Sequence, residues 1–222
     1  MNYDNLPSWW PSEKPWIIQD CLEGMKSIPD KAVDLVLTDP PYGVGFAEWD
    51  MKIPDGWLDE CRRVGKRVAF TPGIWNVGHY PQPKWILCWA KPGSTRRNAT
   101  GGFNHWEPIF YYGDGRISVD FTYLPDCVNH VKGKINHPCP KPIALYEWLI
   151  EALSDSAAIV LDPFLGSGTT LLACRKTGRI GLGFEINPEY ESIIRERSMA
   201  DVPELKGIFD WRNEPEPEVV SK

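Results

Sequence analysis

The tetrapeptide Asp39–Tyr42, which reads Asp-Pro-Pro-Tyr, places a carboxylate at the end of an apolar run and stiffens the chain behind it. Proline fixes φ and has no N–H group, so two consecutive prolines form a stiff, extended turn. Such a turn holds the Asp39 carboxylate and the Pro40 carbonyl pointing in the same direction. Two adjacent acceptors match the two hydrogens of one amino group, and Tyr42 offers a flat face on which a planar base can stack. The pattern predicts a site for the exocyclic amine of a nucleobase rotated out of its stack.

Three more acids stand where predicted strands end. The run "IIQD" ends at Asp20, "IVLD" at Asp162 and "GLGFE" at Glu185. Ligands of open α/β sheets bind beyond the carboxyl ends of the strands, so these acids and Asp39 are expected to converge on one rim. Any one of them could instead be a helix cap. Four together predict a site for a ligand rich in hydroxyl and amino donors.

A glycine-rich turn, "DPFLGSGTT", follows the strand that ends at Asp162. Gly166 and Gly168 allow the chain to turn sharply and to approach a ligand closely. The helix predicted to begin at Thr169 points its free N–H groups at an anion. The turn is not a Walker P-loop, because no Gly-Lys-Ser/Thr follows. A plain tight turn would explain the glycines equally well.

The elements that must position these residues alternate between short apolar runs and amphipathic segments. The predicted strands are WIIQD, AVDLVLTD, KRVAFTP, WILCWAK, EPIFYYG, AIVLDPF and RIGLGFEI. The predicted helices are CLEGMKSIP (a helix or a turn), GWLDECRRVG, KPIALYEWLIEALS, GTTLLACRKTG and NPEYESIIRERSM. This alternation predicts an α/β fold with a mostly parallel sheet and helices on both faces.

Composition and charge bound the class of protein. The 222 residues suit one large domain, and no apolar stretch approaches the ~18 residues of a membrane span. The N-terminus does not resemble a secretory signal, so we expect a cytoplasmic protein without a membrane partner. The net charge is −6, but the segment from Lys91 to Lys141 carries seven bases and four acids. On charge alone, a phosphate-binding surface and a solvated loop are equally compatible with that segment.

The six cysteines are scattered without a disulfide framework, so reduced thiols are expected. One cluster, Cys127, His130, His137 and Cys139, contains the residue types of a zinc site. Its His-x-Cys pair is tight for standard ligand spacing, so we expect free side chains and no metal.

Taken together, the motifs resemble a known family. "DPPY", "DPFLGSGTT" and "GFE" are similar to motifs of the amino-group DNA methyltransferases that use S-adenosylmethionine, and their order matches the circularly permuted beta class. Residues 17–43 resemble the opening block of that class nearly throughout. "HPCPKP" is similar to its usual His-Pro-Thr-Gln-Lys-Pro, from which Cys139 and Pro140 depart. The resemblance covers roughly residues 16–199.

The resemblance implies a Rossmann-like methyltransferase fold and a role for each motif. Asp39, Pro40, Pro41 and Tyr42 would hold the target amine and its base, Asp20 would accept from the adenine amine of the cofactor, and Glu185 would take its ribose hydroxyls. Asp162 and the glycine-rich turn would hold the methionine part, and the loop with Pro140 and Lys141 would close over it. The implied cofactor residues are Asp20, Cys21, Lys141, Asp162, Pro163, Phe164, Gly166, Ser167, Gly168, Thr169 and Glu185.

The same resemblance implies the reaction, the partner and the chain organisation. An Asp at the first tetrapeptide position is more usual for adenine-N6 and Ser for cytosine-N4, so we expect adenine-N6 methylation of double-stranded DNA, as in restriction-modification. Cytosine-N4 methylation is the alternative, and a non-catalytic DNA-binding or cofactor-sensing protein is a more distant one. A homodimer is plausible.

We expect an N-terminal extension (1–15), a methyltransferase domain (16–200) with a short recognition insert (114–136), and an acidic tail (201–222). Trp9 and Trp10 are expected to pack the extension onto the body, and 43–50 to form a mobile loop over the site. The expected DNA-contacting residues are Arg96, Arg97, Arg116, Lys132 and Lys134.

Overall fold

The computed structural model of the chain describes residues 6–43, 45, 50, 52–91, 101–102, 105–114 and 141–199. Several residues singled out in the sequence lie outside these ranges. They are the five expected DNA-contacting residues (Arg96, Arg97, Arg116, Lys132 and Lys134), the Cys127–Cys139 cluster, Pro140, most of the 43–50 segment and the acidic tail.

Seven strands lie in the described ranges, each at a position predicted from the apolar runs. They are β1 (Trp16–Ile18), β2 (Val33–Thr38), β3 (Gly65–Phe70), β4 (Trp85–Ala90), β5 (Trp106–Gly113), β6 (Ile159–Asp162) and β7 (Ile180–Glu185). The helices are α1 (Cys21–Met25), α2 (Trp57–Val64), α3 (Ile143–Leu153), α4 (Thr169–Thr177) and α5 (Glu191–Met199). The 3-10 helix Ile74–His79 is not among the predicted elements, and the helix predicted over 187–199 consists of a 3-10 turn, Pro188–Tyr190, followed by α5.

The strands form one seven-stranded sheet in the order β1-β7-β6-β2-β3-β5-β4. The pairs from β1 to β3 are parallel, whereas β5 is antiparallel to both β3 and β4. The prediction of a mostly parallel α/β sheet is confirmed. From β2 the chain proceeds to one side through β3, and from β6 to the other side through β7. The crevice between the carboxyl ends of β2 and β6 is therefore the switch point at which such sheets bind ligands.

Both faces of the sheet are covered, which explains the near-continuous apolar runs. On one face, Leu35 and Leu37 of β2 join a core with helix α3. On the other face, Val36 joins a core with α2 and Phe184 of β7. Consecutive residues of β2 are thus buried on opposite sides, as in a sheet packed between two helical layers.

The segment before β1 packs on the body. Trp10 is buried, lies 5.2 Å from the ring of Phe184 between centroids, and donates from its indole nitrogen to the carbonyl of Lys14 at 2.8 Å. Trp9 meets Trp10 edge to face. The packing role expected of this tryptophan pair is confirmed. None of the helices in the described ranges is long and apolar enough to cross a membrane.

Candidate active site

A cavity of about 270 Å³ lies at the carboxyl ends of β1, β2, β6 and β7. Its wall includes Asp20, Asp39, Asp162 and Glu185. The prediction that four carboxylates converge on one rim is confirmed.

Most residues expected to bind the cofactor lie in this wall. Those that line the cavity are Asp20, Cys21, Lys141, Asp162, Pro163, Phe164, Gly166, Ser167, Thr169 and Glu185. Gly168 does not line it, and Asp39 and Pro41 are the tetrapeptide residues that do. The wall also contains Leu165 of the glycine-rich turn, and residues that the sequence did not single out: Gln19, Lys52, Pro54, Tyr146, Ile186 and Tyr190.

The Asp39 carboxylate is held by three donors. Oδ1 accepts from the hydroxyl of Tyr42 at 2.5 Å and from the hydroxyl of Thr71, a buried residue just beyond β3. Oδ2 accepts from the ammonium of Lys141 at 2.5 Å. A carboxylate offers about four lone pairs, two on each oxygen. Asp39 therefore keeps one acceptor position, on Oδ2.

Lys141 lies closer to the tetrapeptide than the sequence indicated. Its ammonium is buried, pairs with Asp39 and is 3.1 Å from the hydroxyl of Tyr42, although its side chain also lines the cavity. Burial by itself lowers the pKa of Lys141, but Asp39, Tyr42 and Glu107 together raise it well above its ordinary value. The lysine is thus a charged partner of Asp39 rather than a free cation on the cavity wall.

Tyr42 is fixed through its backbone and its ring. Its N–H donates to Asp50 at 2.5 Å, and its carbonyl accepts from the side-chain amide of Asn76 at 2.9 Å. Gly73, at φ 70°, lies so close that a Cβ there would be 3.2 Å from the ring. Burial, and then the Asp39 carboxylate, raise the pKa of the Tyr42 phenol. Because Gly73 packs against the ring, a base can stack there only on an area that Gly73 leaves open.

Asp50, Thr71 and Asn76 are site residues that the sequence analysis missed. Asp50 is 2% exposed, and its Oδ1 accepts from the N–H groups of Tyr42 and Gly43. A carboxylate eight residues beyond the tetrapeptide gives no periodic signal. The other two residues reach the tetrapeptide only because β3 lies beside β2.

Asp162 organises the turn that follows β6. Its Oδ1 accepts from the hydroxyl of Thr38 at 2.6 Å and from the N–H of Phe164 at 3.0 Å, and its Oδ2 accepts from the hydroxyl of Thr170. Burial raises the pKa of Asp162 to about 6, although these donors oppose the shift. The carboxylate thereby ties β2, β6 and α4 together beneath the cavity.

Glu185 holds the glycine-rich turn from the neighbouring strand. Its two oxygens accept from the N–H groups of Gly166 at 2.7 Å and Asn187 at 2.8 Å. Burial raises the pKa of Glu185 to about 7 despite these bonds. Gly166 and Gly168 have φ of 53° and 79°, the left-handed region in which glycine is favoured. Gly168 gives α4 no side-chain cap, so the first N–H groups of that helix are left for another acceptor.

Asp20 both caps a helix and lines the cavity. Strand β1 ends at Ile18, two residues before Asp20, and the Asp20 Oδ1 accepts from the N–H groups of Leu22 and Glu23 at the start of α1. Both bonds end on one oxygen, which leaves Oδ2 as a second acceptor on a residue that lines the cavity. The cap and the ligand site are therefore compatible.

The donor set of the cavity fits S-adenosylmethionine. Carboxylates at Asp20 and Glu185 can accept from an adenine amine and from ribose hydroxyls, and the uncapped start of α4 can donate to an anionic group. In the described ranges, no group of three or more His, Cys, Asp or Glu side chains could hold a metal ion.

Comparisons with known proteins agree with this geometry. The family model described as "DNA methylase", for the N6/N4 methyltransferases, matches residues 74–196, more than half of the chain. The chain is 32% identical over 203 residues to the putative methylase YubD of Escherichia coli (strain K12), covering 82% of this chain and 88% of the relative. It is 28% identical over 242 residues to the DNA adenine methyltransferase YhdJ of the same organism, covering 83% and 82%.

Solved structures share the fold. The M1.HpyAVI–SAM complex superposes with a TM-score of 0.66 at 21% identity, covering 83% of this chain and 98% of that one. The cytosine-N4-specific PvuII DNA methyltransferase superposes with a TM-score of 0.63 at 20% identity, covering 84% and 86%. The tetrapeptide, the acidic rim, the glycine-rich turn and the family match lead to one conclusion: the chain belongs to the N6/N4 family of S-adenosylmethionine-dependent DNA methyltransferases.

Proposed function

We propose that the protein methylates the N6 amine of an adenine that is rotated out of double-stranded DNA. The observation that carries the proposal is the single acceptor position left on the carboxylate of Asp39, a residue of the cavity wall. An aspartate at the first tetrapeptide position favours adenine, and the relative YhdJ is named an adenine methyltransferase. Cytosine-N4 methylation is the alternative, because the PvuII enzyme has the same fold.

On the acceptor side, Asp39 Oδ2 and the Pro40 carbonyl would accept the two hydrogens of the target amine. The nitrogen of such an amine is a poor nucleophile, since its lone pair is conjugated into the ring. Two acceptors favour a more tetrahedral nitrogen with a localised lone pair directed at the cavity, so catalysis depends on positioning and electrostatics. Thr71 and Lys141 would keep the carboxylate oriented throughout.

On the cofactor side, Glu185 would bind the ribose hydroxyls and Asp20 the adenine amine. The turn from Pro163 to Thr169 would hold the methionine part. When bound, S-adenosylmethionine supplies an electrophilic methyl group on a sulfonium. No covalent enzyme intermediate is required, which suits the buried thiols: burial, and then Asp20, raise the pKa of Cys21 to about 12, and burial raises that of Cys174.

DNA would be read by few side chains. The insert 114–136 is too short for a domain with its own core, and it carries Arg116, Lys132 and Lys134. Arg96 and Arg97 lie in the preceding segment. We therefore expect a short or degenerate target, or a longer one read by a homodimer, and methylome sequencing of cells that express the chain would measure its length.

The test of the proposed function is a nucleoside digest. The protein is incubated with methyl-labelled S-adenosylmethionine and DNA of mixed sequence, and the DNA is then digested and its nucleosides are separated. We expect the label in N6-methyladenine, and none with Asp39→Ala at matched cofactor occupancy. Label in N4-methylcytosine would establish the alternative. Cofactor binding with no labelled nucleoside would indicate a non-catalytic protein.

A further inference from the structure

Arg197 reaches from α5 into the glycine-rich turn. The side chain lies in the last turn of the helix and is partly buried. Its Nη1 donates to the carbonyl of Ser167 at 2.8 Å, to the hydroxyl of Ser167, and to the hydroxyl of Thr169 at 3.3 Å. One guanidinium nitrogen thus contacts both hydroxyl residues that flank Gly168.

Within the described ranges, no carboxylate lies within ion-pair distance of Arg197. Burial accordingly lowers the pKa of Arg197, and no acid opposes that shift. The neighbouring Arg195, by contrast, is exposed and pairs with Glu191 at 2.9 Å. A partly buried cation without a counter-ion is unfavourable unless a ligand or the surrounding dipoles compensate it.

Because the Ser167 and Thr169 hydroxyl oxygens accept from Arg197, their protons can be donated elsewhere. Ser167 and Thr169 are 3% and 6% exposed, and both line the cavity. Each hydroxyl oxygen accepts from the guanidinium, and among the described residues neither hydroxyl donates to the protein. Their protons are therefore available to an acceptor in the cavity, next to the uncapped start of α4.

We propose that Arg197 is a positioning residue for the cofactor: it directs the Ser167 and Thr169 hydroxyls toward the carboxylate of the methionine moiety and supplies the counter-charge behind them. S-Adenosylmethionine carries one carboxylate, so the site distinguishes the cofactor from an analogue that lacks this group. Arg197 lies behind the cavity wall, and the cations that line the wall already have partners. Lys141 is paired with Asp39, and the highly exposed Lys52 is paired with Asp55.

Calorimetry with two ligands, without DNA, tests the proposal. S-Adenosylmethionine and its decarboxylated analogue are titrated into the wild type, Arg197→Met and the matched control Arg195→Met, which removes the same charge from the same helix. For Arg197→Met we expect about a tenfold loss of affinity for S-adenosylmethionine, the size of one charge-assisted hydrogen bond, and less than about a threefold loss for the analogue. Arg195→Met should bind both ligands as the wild type does.

Equal losses for both ligands would show that Arg197 only braces the turn and would overturn the proposal. A selective loss in Lys52→Met but not in Arg197→Met would do the same and assign the carboxylate to Lys52. If Arg197→Met does not fold, Ser167→Ala serves instead, and it should show the same preference for loss of the carboxylate-bearing ligand. No step requires a methylated product, so the result stands apart from the choice between adenine and cytosine.

Discussion

Asp50 shows how a residue outside any recognised motif can control the tetrapeptide. Its Oδ1 alone receives the N–H groups of Tyr42 and Gly43, and the side chain is almost fully buried. In Asp50→Ala both N–H groups lose this partner, at about 0.5–1.5 kcal/mol for each hydrogen bond, because Gly43 is exposed and Tyr42 only half-buried. Asp50→Asn keeps an oxygen at the same place.

We expect Asp50→Ala to lower the rate of methyl transfer at least about tenfold, as loss of 1.4 kcal/mol or more of positioning would. Asp50→Asn should retain most of the rate, and both variants should bind S-adenosylmethionine normally, because Asp50 does not line the cavity. Single-turnover kinetics and calorimetry measure the two effects. Equal inactivation by alanine and asparagine would mean that the negative charge matters rather than the two bonds.

The raised pKa of Glu185 predicts how cofactor affinity depends on pH. Burial raises its pKa to about 7, so it takes up a proton in a range where an ordinary glutamate stays ionised. The ionised carboxylate is the better acceptor for ribose hydroxyls. Affinity for S-adenosylmethionine should therefore fall as the pH drops from 8 to 6, with a midpoint near the pKa of Glu185.

Calorimetry across this pH range, with Glu185→Gln as the matched control, measures the effect. The glutamine variant should bind S-adenosylmethionine more weakly, and its affinity should no longer change with pH near 7. Any change in affinity caused by protonation of Asp162 should occur at lower pH, since the pKa of Asp162 is about 6. If the affinity of the glutamine variant still falls as much between pH 8 and 6, another group is responsible for the pH dependence.

The packing of α1 on β7 depends on the absence of one side chain. A Cβ at Gly24 would lie 2.3 Å from the ring of Phe184, which is fully buried against Trp10. Gly24→Ala should therefore destabilise the fold by about 1–3 kcal/mol, as overpacking does, less the gain in helix propensity. Because Phe184 precedes Glu185, cofactor affinity should fall as well.

Urea unfolding measures the loss. Gly78→Ala is the control, since nothing lies within 4 Å of a Cβ at that position. An unchanged unfolding midpoint in Gly24→Ala would show that the Phe184 ring can move aside without penalty.

The elements that carry the site could be predicted from the sequence more completely than the contacts within it. Strand-ending acids such as Asp162 and Glu185 were found because the apolar run and the acid are neighbours in sequence. The antiparallel placement of β5 and the 3-10 helix Ile74–His79 were not, since neither has a periodic pattern. Two of the three partners of Asp39 likewise could not be predicted: Thr71 follows β3 and Lys141 is 102 positions away, and only the folded chain brings them to Asp39.

The two terminal segments of the chain differ in whether they are expected to pack on the core. The segment before β1 belongs to the core through Trp10, and its Lys14 pairs with Glu191 of α5 at 3.0 Å. The segment after Arg212 begins "NEPEPE", and its sequence has no apolar periodicity that would favour packing. Two truncations of similar length should therefore have opposite outcomes.

Removal of residues 1–14 should destabilise the protein, because Trp10 no longer covers Phe184 and loss of a buried tryptophan side chain is worth about 3–5 kcal/mol. The cut spares Pro15, whose carbonyl accepts from Gly183 at 2.9 Å. Truncation after Arg212 should leave both the melting temperature and the cofactor affinity unchanged. Thermal melts with and without S-adenosylmethionine compare the two chains, and Trp10→Ala against Trp9→Ala separates the buried ring from the rest of the segment. A stable chain lacking residues 1–14, or a tail truncation that melts several degrees lower, would reverse these assignments.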